Sequence, residues 1–261
     1  MAKIFAFLKT RYHIPLLIIG FFAVWQLLVT LFNVKEYIVP SPLSVLASLF
    51  VPELAANHHW MKHIQATLVE MVFGFGLTAI LGVALAIVIS WSSLLRAIFT
   101  PLLTFFNSIP KIAMAPLFIL WFGYGILPNI LIAFLIAFFP VVINTATGLN
   151  EVEEELLELA QCMRARKWQI FLMIRLPNSL PYIFSGLKIS ATLCSVGAIV
   201  GEFIASTKGL GYLMKDSQAS IDTPPMFASL MLISILGLGL FGIVSFCARL
   251  AMPWNRTREA A

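Results

Sequence analysis

Only 12 acidic side chains occur in this chain of 261 residues, and five of them are crowded together as Glu151, Glu153, Glu154, Glu155 and Glu158. Arg164, Arg166 and Lys167 follow. Acidic residues first and basic residues later suit the dipole of a helix, and Leu156, Leu157 and Ala160 recur at helical spacing. A second short helix is expected over Lys167 to Ile174, carrying Trp168, Phe171 and Leu172, before Pro177 and Pro181 interrupt it. Two amphipathic helices joined by a turn make a docking surface for another protein. The same composition suits a hairpin lying on lipid headgroups, and the residues alone leave both readings open.

The remaining chemistry-bearing residues are sparse. His59 and His63 have the i, i+4 spacing of a helical metal pair, with His58 beside them. Between them stand Trp60, Met61 and Lys62, so the glutamate of H-E-x-x-H is missing, no third ligand is evident, and no metal site is expected. Cys162, Cys194 and Cys247 are far apart and without C-x-x-C spacing, and read as apolar fillers. Glu70, Lys111 and Glu202 fall within apolar stretches, where an ionisable group costs roughly 2.5–3.5 kcal/mol on insertion scales and needs a partner or water. Glu70 and Glu202 lie in the outer halves of their stretches, where reaching the interface is the simple account. Lys111, beside Pro110 and four residues after Asn107, is the best candidate for the wall of a polar path, with Asn107 and Glu202 as further candidates; an ion pair to a neighbouring span is the alternative for the lysine. No catalytic residues are expected, because only isolated Ser, Cys and Glu are available at membrane depth.

These residues must be positioned by membrane helices. The chain is 60% hydrophobic and 11% charged, against roughly 25% charged for a soluble domain, which excludes a soluble enzyme. The net charge of +5 on so apolar a chain is a topology signal rather than a nucleic-acid footprint. Six spans are expected: Ile14 to Phe32, Ile64 to Trp91, Ala97 to Trp121, Pro128 to Leu149, Phe184 to Ser206 and Phe227 to Leu250. With the amino terminus inside, Lys3, Lys9, Arg11, Arg96, Arg164, Arg166, Lys167, Arg175, Arg249, Arg256 and Arg258 are cytoplasmic. Lys35, Lys62, Lys208 and Lys215 are outside, eleven against four. Both termini are then cytoplasmic. Pro101, Pro110 and Pro116 interrupt the third span and Pro140 the fourth, as where a helix faces protein or a water-filled path.

The organisation expected is 1–63 as a first span plus an outer amphipathic segment, 64–250 as a five-helix core that includes the loop 150–182, and 251–261 as a cytoplasmic tail. In the outer segment, Ser41 caps a helix carrying Leu43, Val45, Leu46, Leu49 and Phe50, which either lies on the membrane surface or covers the bundle's end. Gly74, Gly76 and Gly82, like Gly237, Gly239 and Gly242, supply small faces for close helix approach.

Glu158-Leu159-Ala160, three residues, Arg164, nine residues, then Ile174-Arg175-Leu176-Pro177 resembles the EAA motif of ABC importer permeases, E-A-A, x3, G, x9, I-x-L-P. Resemblance extends through Ala115-Pro116-Leu117, Trp121-Phe122-Gly123, Lys167-Trp168-Gln169-Ile170-Phe171 and Gly209-Leu210-Gly211-Tyr212-Leu213, most like the permeases for aliphatic sulfonates, taurine, nitrate or bicarbonate, and thiamine pyrimidine precursors. It implies an all-α, six-helix type I importer permease in the bacterial inner membrane. A homodimeric pore would carry two cytoplasmic ABC ATPase subunits and be served outside by a solute-binding protein delivering a small anionic or heterocyclic solute. It also implies ATPase-coupling roles for Glu158, Leu159, Ala160, Arg164, Trp168, Phe171, Leu176 and Pro177. No G-x-x-x-x-G-K-[ST] loop is present, so ATP and its Mg would sit on the partner, and no cofactor is expected in this chain. Leu159 departs mildly from the motif's alanine. Arg164 replaces its glycine, at a strain on the order of 1 kcal/mol if the turn keeps a positive φ. The competing classes are an ion-coupled secondary transporter, which typically carries inverted repeats not evident here, and an intramembrane enzyme.

Overall fold

The computed structural model describes residues 2–253, so Arg256, Arg258 and most of the expected tail lie outside the described residues. All regular structure among the described residues is helical. The first helix, α1 (Ala2–Leu31), ends in the apolar stretch Leu16–Leu31. Next, α2 (Pro42–Phe50) starts where the serine signalled it: the Ser41 hydroxyl accepts from the Ser44 N–H at 3.1 Å, and Pro42 occupies the first turn, where no donor is lost. This helix covers the end of the bundle. Val45 and Ser48 turn inward, the Trp60 indole donates to the Ser48 carbonyl at 3.1 Å, and Val45, Trp60, Leu210, Leu213, Ala228 and Ile233 form one buried cluster.

After α3 (Pro52–His58), His59 reverses direction at φ 45° and α4 (Trp60–Trp91) begins. The third apolar stretch is a broken span rather than one rod. Here α5 (Ser93–Ser108) is followed by a 3₁₀ turn at Lys111–Met114 and α6 (Ala115–Phe122), bent by 77° from it. Pro110 causes the break, since it lacks an N–H and holds Ile109 in the extended region. The other prolines do not interrupt: Pro101 stays inside α5, Pro116 sits in the first turn of α6, and Pro140 stays inside α7 (Ile126–Asn150).

The loop end of the molecule carries α8 (Glu154–Cys162) and α9 (Lys167–Ile170). The expected stop at Pro177 and Pro181 does not occur. A π-helical turn at Phe171–Arg175 leads directly into α10 (Leu176–Ala205), with Pro177 in its first turn and Pro181 within it, so Lys167–Ile204 runs as one apolar rod. The wider turn, in which Leu176 N–H bonds the Phe171 carbonyl, joins the two helices without a break. Then α11 (Leu210–Ala219) and α12 (Thr223–Ala251) complete the chain. Among the described residues α4, Lys167–Ile204, α7 and α12 are each long and apolar enough to cross a membrane, and the bent pair makes a fifth candidate.

At the centre, α7 lies between α4 and α10, while α12 packs on α10 and α11. Small residues allow this approach. A Cβ on Gly74 would stand 2.9 Å from that of Ala133, one on Gly82 2.9 Å from Val141, and one on Gly201 2.7 Å from Asn129 Oδ1. A Cβ on Gly197 would run into the Ala133 backbone. By contrast, Gly76, Gly239 and Gly242 face open space among the described residues.

Candidate functional site

The loop between α7 and α10 is held to the bundle at both ends. Arg96, in the first turn of α5, bonds the Asn150 side chain, whose amide donates to the Ala146 carbonyl at 2.7 Å. Asn178 on α10 reaches back to the Glu151 carbonyl at 2.8 Å. On this support α8 places Glu154 and Glu155 in its first turn, at the positive end of its dipole. Its far end closes as a Schellman turn. The Ala165 N–H bonds the Ala160 carbonyl at 3.0 Å and the Arg164 N–H bonds Gln161 at 2.8 Å, with Arg164 left-handed at φ 57°. The motif's glycine conformation is therefore present, formed by an arginine. Gln169 Oε1 then accepts from the Arg166 N–H at 2.8 Å and starts α9.

These bonds divide the expected coupling residues between two sides. Facing outward are Glu158, Leu159 at 59% exposure, Met163, Arg164 and Trp168 at 52%. Ala160 is 7% exposed and turned inward, and the Phe171 ring lies 5.4 Å from Trp91 at the end of α4. Leu176 and Pro177 are half-buried at the start of α10. Between the loop and α4 a cleft of about 260 Å³ is lined by Trp91, Leu157, Gln161, Lys167, Phe171 and Arg175. Phe171 and Ala160 thus fix the loop on its support, and the outward residues form a mixed surface with acidic groups at one side and basic ones at the other.

Two of the three expected path residues meet. Lys111 donates to both the carbonyl and Oδ1 of Asn107 at 2.8 Å and stands 4.9 Å from the Phe139 ring centroid. Its partners are thus a neighbouring turn and an aromatic face, not an acidic group on another span. The third, Glu202, lies elsewhere. Its chain neighbour Gly201 packs against Asn129, which is ten residues from Phe139 along α7, or about 15 Å of helix.

Glu202 and Glu70 do not reach the interface, since they are 0% and 1% exposed within the bundle. Glu202 accepts from the Thr67 hydroxyl and the Gly211 N–H, both at 2.6 Å, and Asn129 donates to Glu70 at 2.8 Å. The Thr67 oxygen accepts from the Leu210 N–H at 2.9 Å. His63 is spent on backbone as well, its Nδ1 2.9 Å and 3.0 Å from the Gly209 oxygen and nitrogen, with its ring stacked on Tyr212. This polar knot joins α4, α7, α10 and the start of α11 at the end opposite the loop. Its signal in the sequence is the spacing of His63, Thr67 and Glu70, i, i+4 and i+7 on one helix face.

The family model described as binding-protein-dependent transport system inner membrane component matches residues 78–251. A probable ABC transporter permease protein of Haemophilus influenzae is 37% identical over 235 residues, 90% of this chain and 94% of its own length. The formylaminopyrimidine transport permease protein ThiX of Halalkalibacterium halodurans is 31% identical, over 89% of this chain and 92% of its own. Among solved structures, an inward-facing form of the MetNI methionine ABC transporter aligns with a TM-score of 0.63 at 20% identity, over 72% of this chain and 94% of the other, a likeness of fold.

Proposed function

This chain belongs to the binding-protein-dependent transport system inner membrane component family, and from that premise we propose that two copies of it form the pore of an ABC importer, driven by two separate ATPase subunits. The chain is the permease. It supplies the path and the docking surface, while ATP and Mg are held by the partner. A solute-binding protein delivers a small anionic or heterocyclic solute to the outer face, and the loop 150–182 and both termini face the cytoplasm of a bacterial inner membrane.

The observation that carries this reading is the helix-turn-helix at 154–170. It stands on the bundle through Phe171, Asn150 and Asn178, yet leaves Glu158, Leu159, Met163, Arg164 and Trp168 outside. A solvated loop with no partner has no need of an outward Leu, Met and Trp beside a charge-graded helix. Because α9 runs without interruption into α10, a push on this surface is delivered to a helix at the bundle's centre.

The test is capture of the ATPase that is encoded with this chain, in detergent. Wild type is expected to retain it. Glu158→Lys combined with Trp168→Ala is expected to weaken binding by roughly thirtyfold or more, as loss of an interface hot spot does. Equal capture by both, at equal abundance in the membrane, would remove the assignment of this surface.

A further inference from the structure

We propose that the cleft between the loop and the end of α4 holds the phosphate headgroup of an anionic phospholipid. Its polar lining comes from four segments: Ser90 and Trp91 at the end of α4, Gln161 on α8, Lys167 at the start of α9, and Arg175 in the π turn that leads into α10. Two of these side chains are cations, and no acidic residue lines the cleft. Every one of the five can donate a hydrogen bond, and Lys167, Arg175 and Trp91 can do nothing else. Ser90 adds an independent sign of a ligand. It is 4% exposed, and its Oγ is buried with no hydrogen-bond partner. An orphaned hydroxyl bordering a cavity is satisfied by what fills it.

The complement of such a lining is an anion with several acceptor oxygens. Phosphate supplies them, engaging a guanidinium through two parallel bonds and an ammonium as a point charge. The position of the cleft points to a lipid as the source. With 32 residues α4 is about 48 Å long, against a hydrocarbon core of about 30 Å, so it projects beyond the core. Trp91 is its last residue and is 58% exposed, while Lys167 begins the apolar rod Lys167–Ile204. An aromatic side chain and basic ones at the ends of apolar rods mark the headgroup level. At about 260 Å³ the cleft is smaller than the roughly 300–1,000 Å³ that encloses a whole small molecule, and a headgroup whose tails stay in the bilayer needs no more.

A phosphate seated there ties the end of α4 to the loop and to the start of α10. Leu159 and Trp168, which face outward, do not line the cleft. The lipid site therefore stands or falls separately from capture of the ATPase.

Thermal unfolding of the full chain in nanodiscs of phosphatidylcholine, with and without phosphatidylglycerol, tests this. Wild type should melt several degrees higher when phosphatidylglycerol is present. Ser90→Ala should match wild type in phosphatidylcholine alone, because its hydroxyl has no protein partner to lose, and should show a smaller rise. Lys167→Gln with Arg175→Gln should lose most of the rise and retain phosphatidylglycerol roughly tenfold less tightly in native mass spectrometry. Lys35→Gln with Lys208→Gln removes the same charge from exposed positions outside the cleft and should keep the rise. A wild type indifferent to phosphatidylglycerol, or an equal loss in both double variants, would overturn the proposal. So would an undiminished rise in Ser90→Ala, which reports even where a double variant does not fold. Inorganic phosphate that stabilised the chain in phosphatidylcholine as much as phosphatidylglycerol does would overturn the lipid as the source.

Discussion

Arg164 occupies the one backbone position in the loop where glycine is favoured, and its φ of 57° strains any side chain with a Cβ. Arg164→Gly should therefore stabilise the chain by about 1 kcal/mol, a rise of roughly 2–4 °C in melting temperature. A fall would mean that the guanidinium contributes more to the loop than the backbone strain costs. At the other end, Thr67 both donates to Glu202 and accepts from the Leu210 N–H. Thr67→Val keeps the volume and removes both bonds, so a loss of about 1–3 kcal/mol is expected, measured by thermal unfolding. Motif spacing made Arg164 legible as a turn residue. It did not reveal Glu202 as a partner of Thr67, because a sequence separation of 135 hides which helices become neighbours. Nor did it show that Ala160 and Phe171 turn inward, since a short helix read alone has two faces and no indication of which one meets the bundle.

At the scale of elements, the close contacts of α7 with α4 and α10 depend on residues that lack side chains. Gly197→Val would place atoms where the Ala133 backbone lies, forcing α10 away from α7. Reduced membrane abundance and a lower melting temperature are expected, whereas Gly239→Val, which meets no neighbour among the described residues, should leave both unchanged. The apolar lengths of most spans were legible because a bilayer imposes a minimum stretch that composition records. The 77° break between α5 and α6 was only partly so. Four prolines looked equivalent as interruptions, yet Pro110 alone coincides with extended backbone before it, while Pro101 and Pro140 are absorbed within helices. The π turn before α10 was not legible, because its wider bonds leave no signature in side-chain type.

For the whole molecule, the loop 150–182, proposed as the docking surface, and the polar knot lie at opposite ends of the same rods, α4 and α10. That geometry suits a device in which one end receives work and the other meets the solute. The proposed orientation rests on the excess of Lys and Arg on the loop side, so a single cysteine at position 154, in a cysteine-free background, should resist impermeant reagents added outside and react after permeabilisation. Labelling from outside would invert the topology. The most direct measurement is uptake and phosphate release by proteoliposomes that contain this chain with or without its ATPase and solute-loaded binding protein. The chain alone should neither hydrolyse ATP nor take up solute under an imposed proton or sodium gradient, and adding both partners should switch on hydrolysis and uptake together. Gradient-driven uptake by the chain alone, or ATP turnover without the partner, would contradict the account.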